Sequence, residues 1–189
     1  MISLVCAPPV SSQLNYPALV ISSLALAFTI ISFWWMNWRR GKLIVGEPRS
    51  YAARGSQADN LIITLPLVFY NDGAAAIVVQ NLRLLLLHEG PEAQALFFNA
   101  TLEKLLKDEG RAFATQFPVR GREAVTLICE FQRGPGNLLF EAKRYPIELQ
   151  AILDDNKKWK KLCGFDLRVT EAAAPILNRQ YVAHDNQAP

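Results

Sequence analysis

The sequence predicts a mostly β protein in which one N-terminal transmembrane helix precedes an antiparallel β-sandwich with one short helix. Three observations lead to this prediction. No Asp, Glu, Lys or Arg occurs between Met1 and Trp38, whereas all 20 basic and 17 acidic residues of the 189-residue chain lie beyond that point. Short apolar runs with period-two alternation fill most of the remainder, and turn residues separate them. One stretch in that remainder has the spacing of an amphipathic helix.

The N-terminal apolar run has the length and the flanks of a membrane span. Ala18–Met36 contains 19 uncharged residues. At ~1.5 Å per residue it nearly crosses a ~30 Å hydrocarbon core. Backbone amides in lipid need partners within the segment, so we expect a helix over 16–38. Aromatic residues favour the headgroup level and mark both ends: Tyr16 at one, and Trp34, Trp35 and Trp38 at the other. A cleaved signal peptide needs a basic residue before its apolar run, and this run has none.

The charges beside the span predict its orientation. Five basic residues and one acid, Glu47, follow the apolar run; the basic residues are Arg39, Arg40, Lys42, Arg49 and Arg54. The positive-inside rule therefore places the N-terminus outside and the globular domain in the cytoplasm, at a cell inner membrane or plasma membrane. The first three of these residues are also predicted to lie at the membrane interface. Alternatively, the Arg-Arg pair is only a headgroup anchor and other factors set the orientation.

The chain is predicted to contain five segments in order. They are a non-cytoplasmic tail (1–15), the transmembrane helix (16–38), a basic juxtamembrane segment with the first strand (39–59), the sandwich domain (60–171) and a C-terminal tail (172–189). The last twelve residues, from Asn178, are polar, and we expect them to be frayed.

Alternating apolar runs predict about seven strands. The runs Leu61–Tyr70 and Ala75–Leu87 flank Asn71-Asp72-Gly73, which predicts a β-hairpin because these residues tolerate positive φ. Tyr145–Leu153 and Trp159–Val169 form a second pair around a turn at 154–156. Phe131 falls on the apolar face of another alternating run, and Phe113–Val119 is a shorter strand.

The remaining segments are predicted to be one helix and one loop. Thr101 can cap a helix over Leu102–Glu109, and Gly110 can end it. The six residues Arg133–Leu138 contain Gly-Pro-Gly and are predicted to form an exposed loop. Many short strands with one helix are typical of a two-sheet sandwich in the style of immunoglobulin-like domains.

The sequence contains no recognisable catalytic or metal-binding motif. Its three cysteines include no CxxC pair, and no phosphate-binding loop or HExxH is present. Cys129 and Cys163 lie on apolar strand faces, where a core thiol is the plainer interpretation than a nucleophile. We therefore predict no catalytic residue, no cofactor, no metal and no enzyme activity. The net charge of +3, with basic residues spread along the strands, argues against a nucleic-acid partner.

A lysine-rich run is the sharpest surface feature of the predicted domain. Trp159 lies within it, flanked by Lys157, Lys158, Lys160 and Lys161. These lysines could contact anionic lipid headgroups, at about 1 kcal/mol per basic residue, or an acidic partner. The alternative is a protected edge strand, since lysines discourage edge-to-edge pairing, with Trp159 pointing inward.

Several segments resemble a known group of proteins. Leu65–Gly73 and Val78–Leu84 carry the likeness, and Phe117–Glu123 and Trp159–Phe165 extend it over most of the domain. Together they resemble uncharacterised bacterial single-pass membrane proteins with an immunoglobulin-like domain. More loosely, they are similar to adhesion-type and stress-protein sandwiches. The matched motifs are structural, and the resemblance implies no activity or ligand.

An anchor joined to a compact domain predicts a non-catalytic interaction module. It would serve as a scaffold, an assembly factor or an accessory subunit, with a protein partner in a membrane complex. The alternative is a lipid- or small-ligand-binding sandwich at the membrane surface, which would show an unfilled apolar cavity between the sheets. An enzyme would instead need a deep cleft with converging polar side chains.

Overall fold

The computed structural model describes residues 16–87, 94–105, 110–154 and 156–186, which fall into two units. The first unit is the helix α1, Tyr16–Asn37, whose 22 residues include none that is buried. It is long and apolar enough to cross a membrane. Three of its polar side chains bond back to the helix: the Ser22 hydroxyl donates to the Leu19 carbonyl (3.0 Å), the Thr29 hydroxyl to that of Ala25 (2.8 Å) and the Asn37 amide to that of Phe33 (2.9 Å). The predicted tail, 1–15, lies outside the described residues.

The second unit begins at Arg39 and is mostly β. Its elements in the described ranges are β1 (Leu43–Val45), β2 (Ser50–Arg54), β3 (Leu61–Asn71), β4 (Ile77–Leu86), β5 (Leu96–Leu102), β6 (Ala112–Phe113), β7 (Phe117–Val119), β8 (Ala124–Arg133), β9 (Arg144–Leu153), β10 (Lys160–Arg168), α2 (Ala174–Leu177) and β11 (Val182–Asp185).

The described strands form one continuous antiparallel sheet, which folds into two layers that one strand joins. One layer has the order β10-β9-β4, with β7 on the start of β4; the other has β8-β3-β2-β11, with β1 on the end of β3. β5 joins them, because Leu96 and Phe97 pair with β4 while 97–102 pair with β8. The outer strands meet again through Asn186, whose side chain accepts from the Arg168 amide and donates to the Asp166 carbonyl, both at 2.9 Å. This sandwich-like arrangement, with one short helix, confirms the predicted fold class.

Large side chains from both layers fill the interior. The biggest fully buried ones are Tyr51, Tyr145, Phe69 and Phe131. The rings of Phe69 in β3 and Phe117 in β7 meet edge to face across the layers, with their centroids 5.2 Å apart. Such aromatic pairs add stabilisation beyond the area they bury.

The predicted hairpin between β3 and β4 is wrong. β3 pairs with β8 along its length and β4 pairs with β9, so Asn71-Asp72-Gly73 carries the chain from one layer to the other. The Asn71 side chain holds this corner: it donates to the carbonyls of Ala75 (2.8 Å) and Val119 (3.1 Å) and accepts from the Gly73 amide (2.9 Å). An Asn-Asp-Gly signal predicts a reversal of the chain, but it does not specify which strands will pair.

The predicted helix over Leu102–Glu109 is wrong in its described part. Thr101 and Leu102 end β5, where they pair with Cys129 and Ile128, and 103–105 are not helical. Residues 106–109 lie outside the described ranges. The short helix is instead α2, which has a proline in its first turn. The single strand predicted over Phe113–Val119 is two, because β6 pairs with β5 and β7 with β4.

Two segments predicted to be loose belong to the packed domain. In the segment predicted to be an exposed loop, Arg133 and Leu138 are buried, and the Arg133 guanidinium donates to the Gly136 carbonyl at 2.9 Å. In the segment predicted to be a frayed tail, Val182–Asp185 forms β11 against β2, and Asn186 is buried. Polar side chains that form these hydrogen bonds look in sequence like solvent-exposed ones. Residues 187–189 lie outside the described ranges.

Candidate functional site

Four connecting segments meet at one end of the domain. They are 39–42, 71–76, 120–123 and 154–160, and we call this the basic end. The pairing of the strands brings them together, since the adjacent strand ends are matched residue to residue: Leu43 with Asn71, Tyr70 with Ala124, Ile77 with Val119 and Val79 with Leu153.

The basic end holds all of the chain's positive excess. The sequence of its four segments contains eight basic residues, namely Arg39, Arg40, Lys42, Arg120, Arg122, Lys157, Lys158 and Lys160. It contains four acidic ones, namely Asp72, Glu123, Asp154 and Asp155. This excess of four compares with +3 for the whole chain, so the rest of the protein is nearly neutral. The other twelve basic residues are spread over the rest of the chain, where acidic residues balance them.

The first of these segments is fastened to the domain. The Arg39 carbonyl accepts from the amides of Ala74 (2.8 Å) and Ala75 (3.3 Å), and the Arg39 guanidinium donates to the Asp72 carbonyl at 2.7 Å. The Lys42 amide in turn donates to the Asp72 carboxylate. The backbones approach so closely that a Cβ on Gly41 would overlap the Gly73 nitrogen. Residues 39–42 are thus part of the folded unit rather than a flexible linker.

A groove of about 560 Å³ opens between three of these segments. Arg40, Lys42 and Lys160 line it, and all three are exposed. Its other lining residues include six that are small or apolar: Gly41, Leu43, Ala75, Ala76, Ile77 and Leu153. Asp154 also lines the groove, but its Oδ1 accepts a hydrogen bond from the Val78 amide at 2.9 Å. Within the described ranges, no carboxylate pairs with the three cationic side chains.

The four lysines singled out in the sequence separate in the structure. Lys157 and Lys158 are exposed in the connection between β9 and β10, and Lys160 lines the groove. Lys161 lies on the outer face of the sheet, where its Nζ is 2.9 Å from Glu148 Oε2. Because β10 ends the sheet order, the edge-strand interpretation of these lysines also fits.

Trp159 does not point inward as predicted. A β-bulge between Lys161 and Cys163 shifts the alternation of β10, so that Phe165 faces the core while Lys161 faces outward. Trp159 follows Lys161 to the outer face and is only half-buried. The sequence alone does not reveal the bulge, because Leu162 and Cys163 both look like core residues.

Trp159 forms a second surface with residues of β4 and β5. The Arg83 guanidinium carbon lies 4.3 Å from the Trp159 ring centroid, and the Phe97 ring lies 6.4 Å from it. Phe97 is 50% exposed, and Leu87, just past β4, is 45% exposed. We call Arg83, Phe97 and Trp159 the aromatic platform. Nothing in the spacing of these three residues along the chain indicates that they meet.

A hydrogen-bonded chain fixes the arginine of the aromatic platform. Arg83 Nε donates to Gln150 Oε1 (2.8 Å), and Gln150 Nε2 donates to Glu148 Oε1 (2.7 Å). Burial opposes ionisation of Glu148, but hydrogen bonds from Gln150 and Lys161 outweigh it and lower the carboxyl pKa. Burial also lowers the pKa of Arg83, an effect that the charge of Glu148 opposes. The cation is therefore held in place over the indole ring.

The aromatic residues predicted at the membrane interface lie on and beside α1. Tyr16 is its first residue, and Trp34 and Trp35 lie in its last turn with their ring centroids 6.4 Å apart. Trp38 follows the helix and packs edge to face on Phe33 at 5.5 Å. All four predicted residues are exposed, as contact with headgroups requires.

The two described cysteines have the properties of core thiols. Burial raises the pKa of Cys129 to about 12 and, with a smaller effect from Glu47, that of Cys163 to about 11. Both thiols are therefore protonated at neutral pH and are weak nucleophiles. Among the residues that the structure describes, no three His, Cys, Asp or Glu side chains converge in a way that could hold a metal ion.

Comparison with known proteins gives no family for this chain. No protein-family model matches it. No curated protein matches it either. One solved structure, the crystal structure of a protein from Archaeoglobus fulgidus, is similar over 77% of this chain and 99% of its own, with 9% sequence identity and a TM-score of 0.33. A likeness at that score supports no conclusion about function.

Proposed function

We propose that the chain is a membrane-anchored, non-catalytic interaction module. In this proposal α1 crosses the membrane, and the domain binds a protein partner as a scaffold, an assembly factor or an accessory subunit of a membrane complex. The aromatic platform is the observation that supports partner binding. Trp and Arg are enriched among the residues that dominate binding energy at protein interfaces, and here they lie stacked on one exposed face.

The chemistry of the platform indicates the kind of partner surface it fits. Gln150 and the indole ring already hold Arg83, so binding would cost little side-chain entropy. Phe97 offers apolar area beside the indole ring, and the exposed Leu87 follows the strand that carries Arg83. A partner would therefore present an apolar side chain next to a carboxylate, which can take a forked hydrogen bond from the guanidinium.

The alternative function is a lipid- or small-ligand-binding sandwich. An apolar ligand between the layers would need space that large side chains such as Tyr51, Phe131 and Tyr145 already occupy. Lipid headgroups would instead contact the surface of the domain, and the positive charge of the basic end supports such contact.

A photo-crosslinker at Leu87, placed in the full-length chain in its native membranes, tests partner binding. We expect one protein to be captured there and not from a crosslinker at Phe113, which is 88% exposed on β6 outside the aromatic platform. Trp159→Ala should weaken that capture by at least about tenfold, as expected when a dominant interface aromatic is removed. Phe113→Ala is the matched control and should leave capture unchanged. Equal capture from both positions, or capture that survives Trp159→Ala, would contradict the proposal.

We further propose that the N-terminus is outside and the domain cytoplasmic, in a cell inner membrane or plasma membrane. The five basic residues against one acid after α1 support this orientation.

An impermeant protease added to intact cells or spheroplasts should remove at most the short N-terminal tail. Neutralising Arg40 and Lys42 and adding lysines before Tyr16 should invert some chains. Arg39 is left in place because its guanidinium holds the Asp72 loop. Digestion of the wild-type domain from outside would contradict this orientation. A function in adhesion or envelope assembly would then be favoured.

A further inference from the structure

We propose that the groove between Arg40, Lys42 and Lys160 binds the phosphate of an anionic phospholipid headgroup. This inference rests on the membrane-anchor part of the proposed function and not on the protein partner. The groove and the aromatic platform share no residue.

The groove combines cations from two distant parts of the chain. Arg40 and Lys42 come from the segment fastened to the Asp72 loop, and Lys160 opens β10 more than a hundred residues later. Ala75 and Ala76 also line the groove, and their short side chains occupy little of its volume of about 560 Å³. The planar guanidinium of Arg40 suits two oxygens of one phosphate, and the lysines supply point charges beside it.

The charge balance of the groove favours an anion. Among the described residues that line it, three are cationic and one is acidic, Asp154, which already accepts a hydrogen bond from the Val78 amide. Like charges that line one groove repel one another, and a bound anion relieves that repulsion. The lysines of the adjacent connection, Lys157 and Lys158, add to the local positive potential.

Covalent reach keeps the Arg40 side of this groove close to the headgroups if α1 spans the membrane. α1 ends at Asn37, and Arg40 follows three residues later. A chain extends by at most ~3.6 Å per residue, so Arg40 lies within about 11 Å of the helix end. Because 39–42 are hydrogen-bonded into the domain, two of the cationic residues of the groove, Arg40 and Lys42, stay within five residues of the helix end along the chain. Lipid phosphate is therefore always at high effective concentration there.

Native mass spectrometry of the full-length chain in detergent, with added phosphatidylglycerol or phosphatidylcholine, tests the proposal. We expect phosphatidylglycerol to bind at least about tenfold more tightly than phosphatidylcholine, a difference in free energy that three charge-assisted contacts readily supply. The triple variant Arg40→Gln, Lys42→Gln, Lys160→Gln should lose this preference. A control triple variant with the same change of charge, Lys104→Gln, Arg144→Gln, Arg179→Gln, should keep it, because those residues are exposed outside the basic end.

Further measurements distinguish lipid binding from binding of a free phosphate, and loss of binding from loss of folding or of the proposed topology. Glycerol phosphate in solution should displace the lipid only at far higher concentration, and displacement at equal concentration would overturn the assignment to a lipid. Both triple variants should unfold at the wild-type temperature, since all six residues are exposed. Suppose the two lipids bind with equal affinity while the domain is protected from protease in intact cells. That result would overturn only the proposal that the groove binds an anionic headgroup. Digestion of the domain in that assay would overturn the proposed topology instead.

Discussion

Phe131→Ala is expected to lower the free energy of unfolding by about 3–5 kcal/mol. Phe131 is fully buried in β8, where it pairs with Ile63 of β3 and Phe98 of β5. Its ring centroid lies 5.9 Å from that of Phe98. Removing the ring loses its transfer free energy and leaves a cavity between the layers. Because a domain's total stability is typically about 5–15 kcal/mol, the variant could be largely unfolded.

Denaturant unfolding followed by circular dichroism in the β region measures this loss. Phe113→Ala is the matched control, because it removes the same ring from a position that is 88% exposed. It should change the free energy of unfolding by no more than about 0.5 kcal/mol. A loss below about 1 kcal/mol for Phe131→Ala would show that this ring is not in the core and that the register of β8 is wrong.

Asn71→Ala is expected to cost about 2–4 kcal/mol, a large effect for a polar side chain. Asn71 is fully buried, and its three hydrogen bonds join the corner after β3 to β7 in the other layer. Alanine would leave two carbonyls and one amide at this corner without their partner. The penalty for burying such unsatisfied groups exceeds the net gain from an ordinary hydrogen bond.

The same unfolding measurement on two other asparagine variants shows whether hydrogen bonding is the cause. Asn71→Asp keeps the acceptor for the Gly73 amide but turns a carboxylate oxygen toward the carbonyls of Ala75 and Val119. It should destabilise at least as much as alanine, because it buries an unpaired charge. Asn156→Ala removes an exposed side chain that accepts from the Lys158 amide, and it should be nearly neutral. If Asn71→Ala were as mild as Asn156→Ala, the corner would not depend on the Asn71 side chain.

The sequence by itself determined the features that depend on local pattern. The span predicted over 16–38 is the helix Tyr16–Asn37, and the run predicted over Leu61–Tyr70 is β3, which extends one residue further. The inward position of Phe131 is confirmed as well. These predictions are confirmed because they depend on neighbouring residues: a long uncharged run in one case, and apolar residues at every second position in the others. The finer likeness to immunoglobulin-like domains stays a prediction.

Only the tertiary structure decided which strands pair and which side chains meet. β3 and β4 lie in different layers, and β11 joins the sheet because it pairs with β2, whose paired residues lie 129 to 135 positions earlier in the chain. One bulge in β10 turned Trp159 outward to meet Arg83. The basic end is likewise invisible in sequence, since 28 or more residues separate each of its segments from the next. Strand pairing and charge clustering depend on the sum of long-range contacts, which no local window of sequence contains.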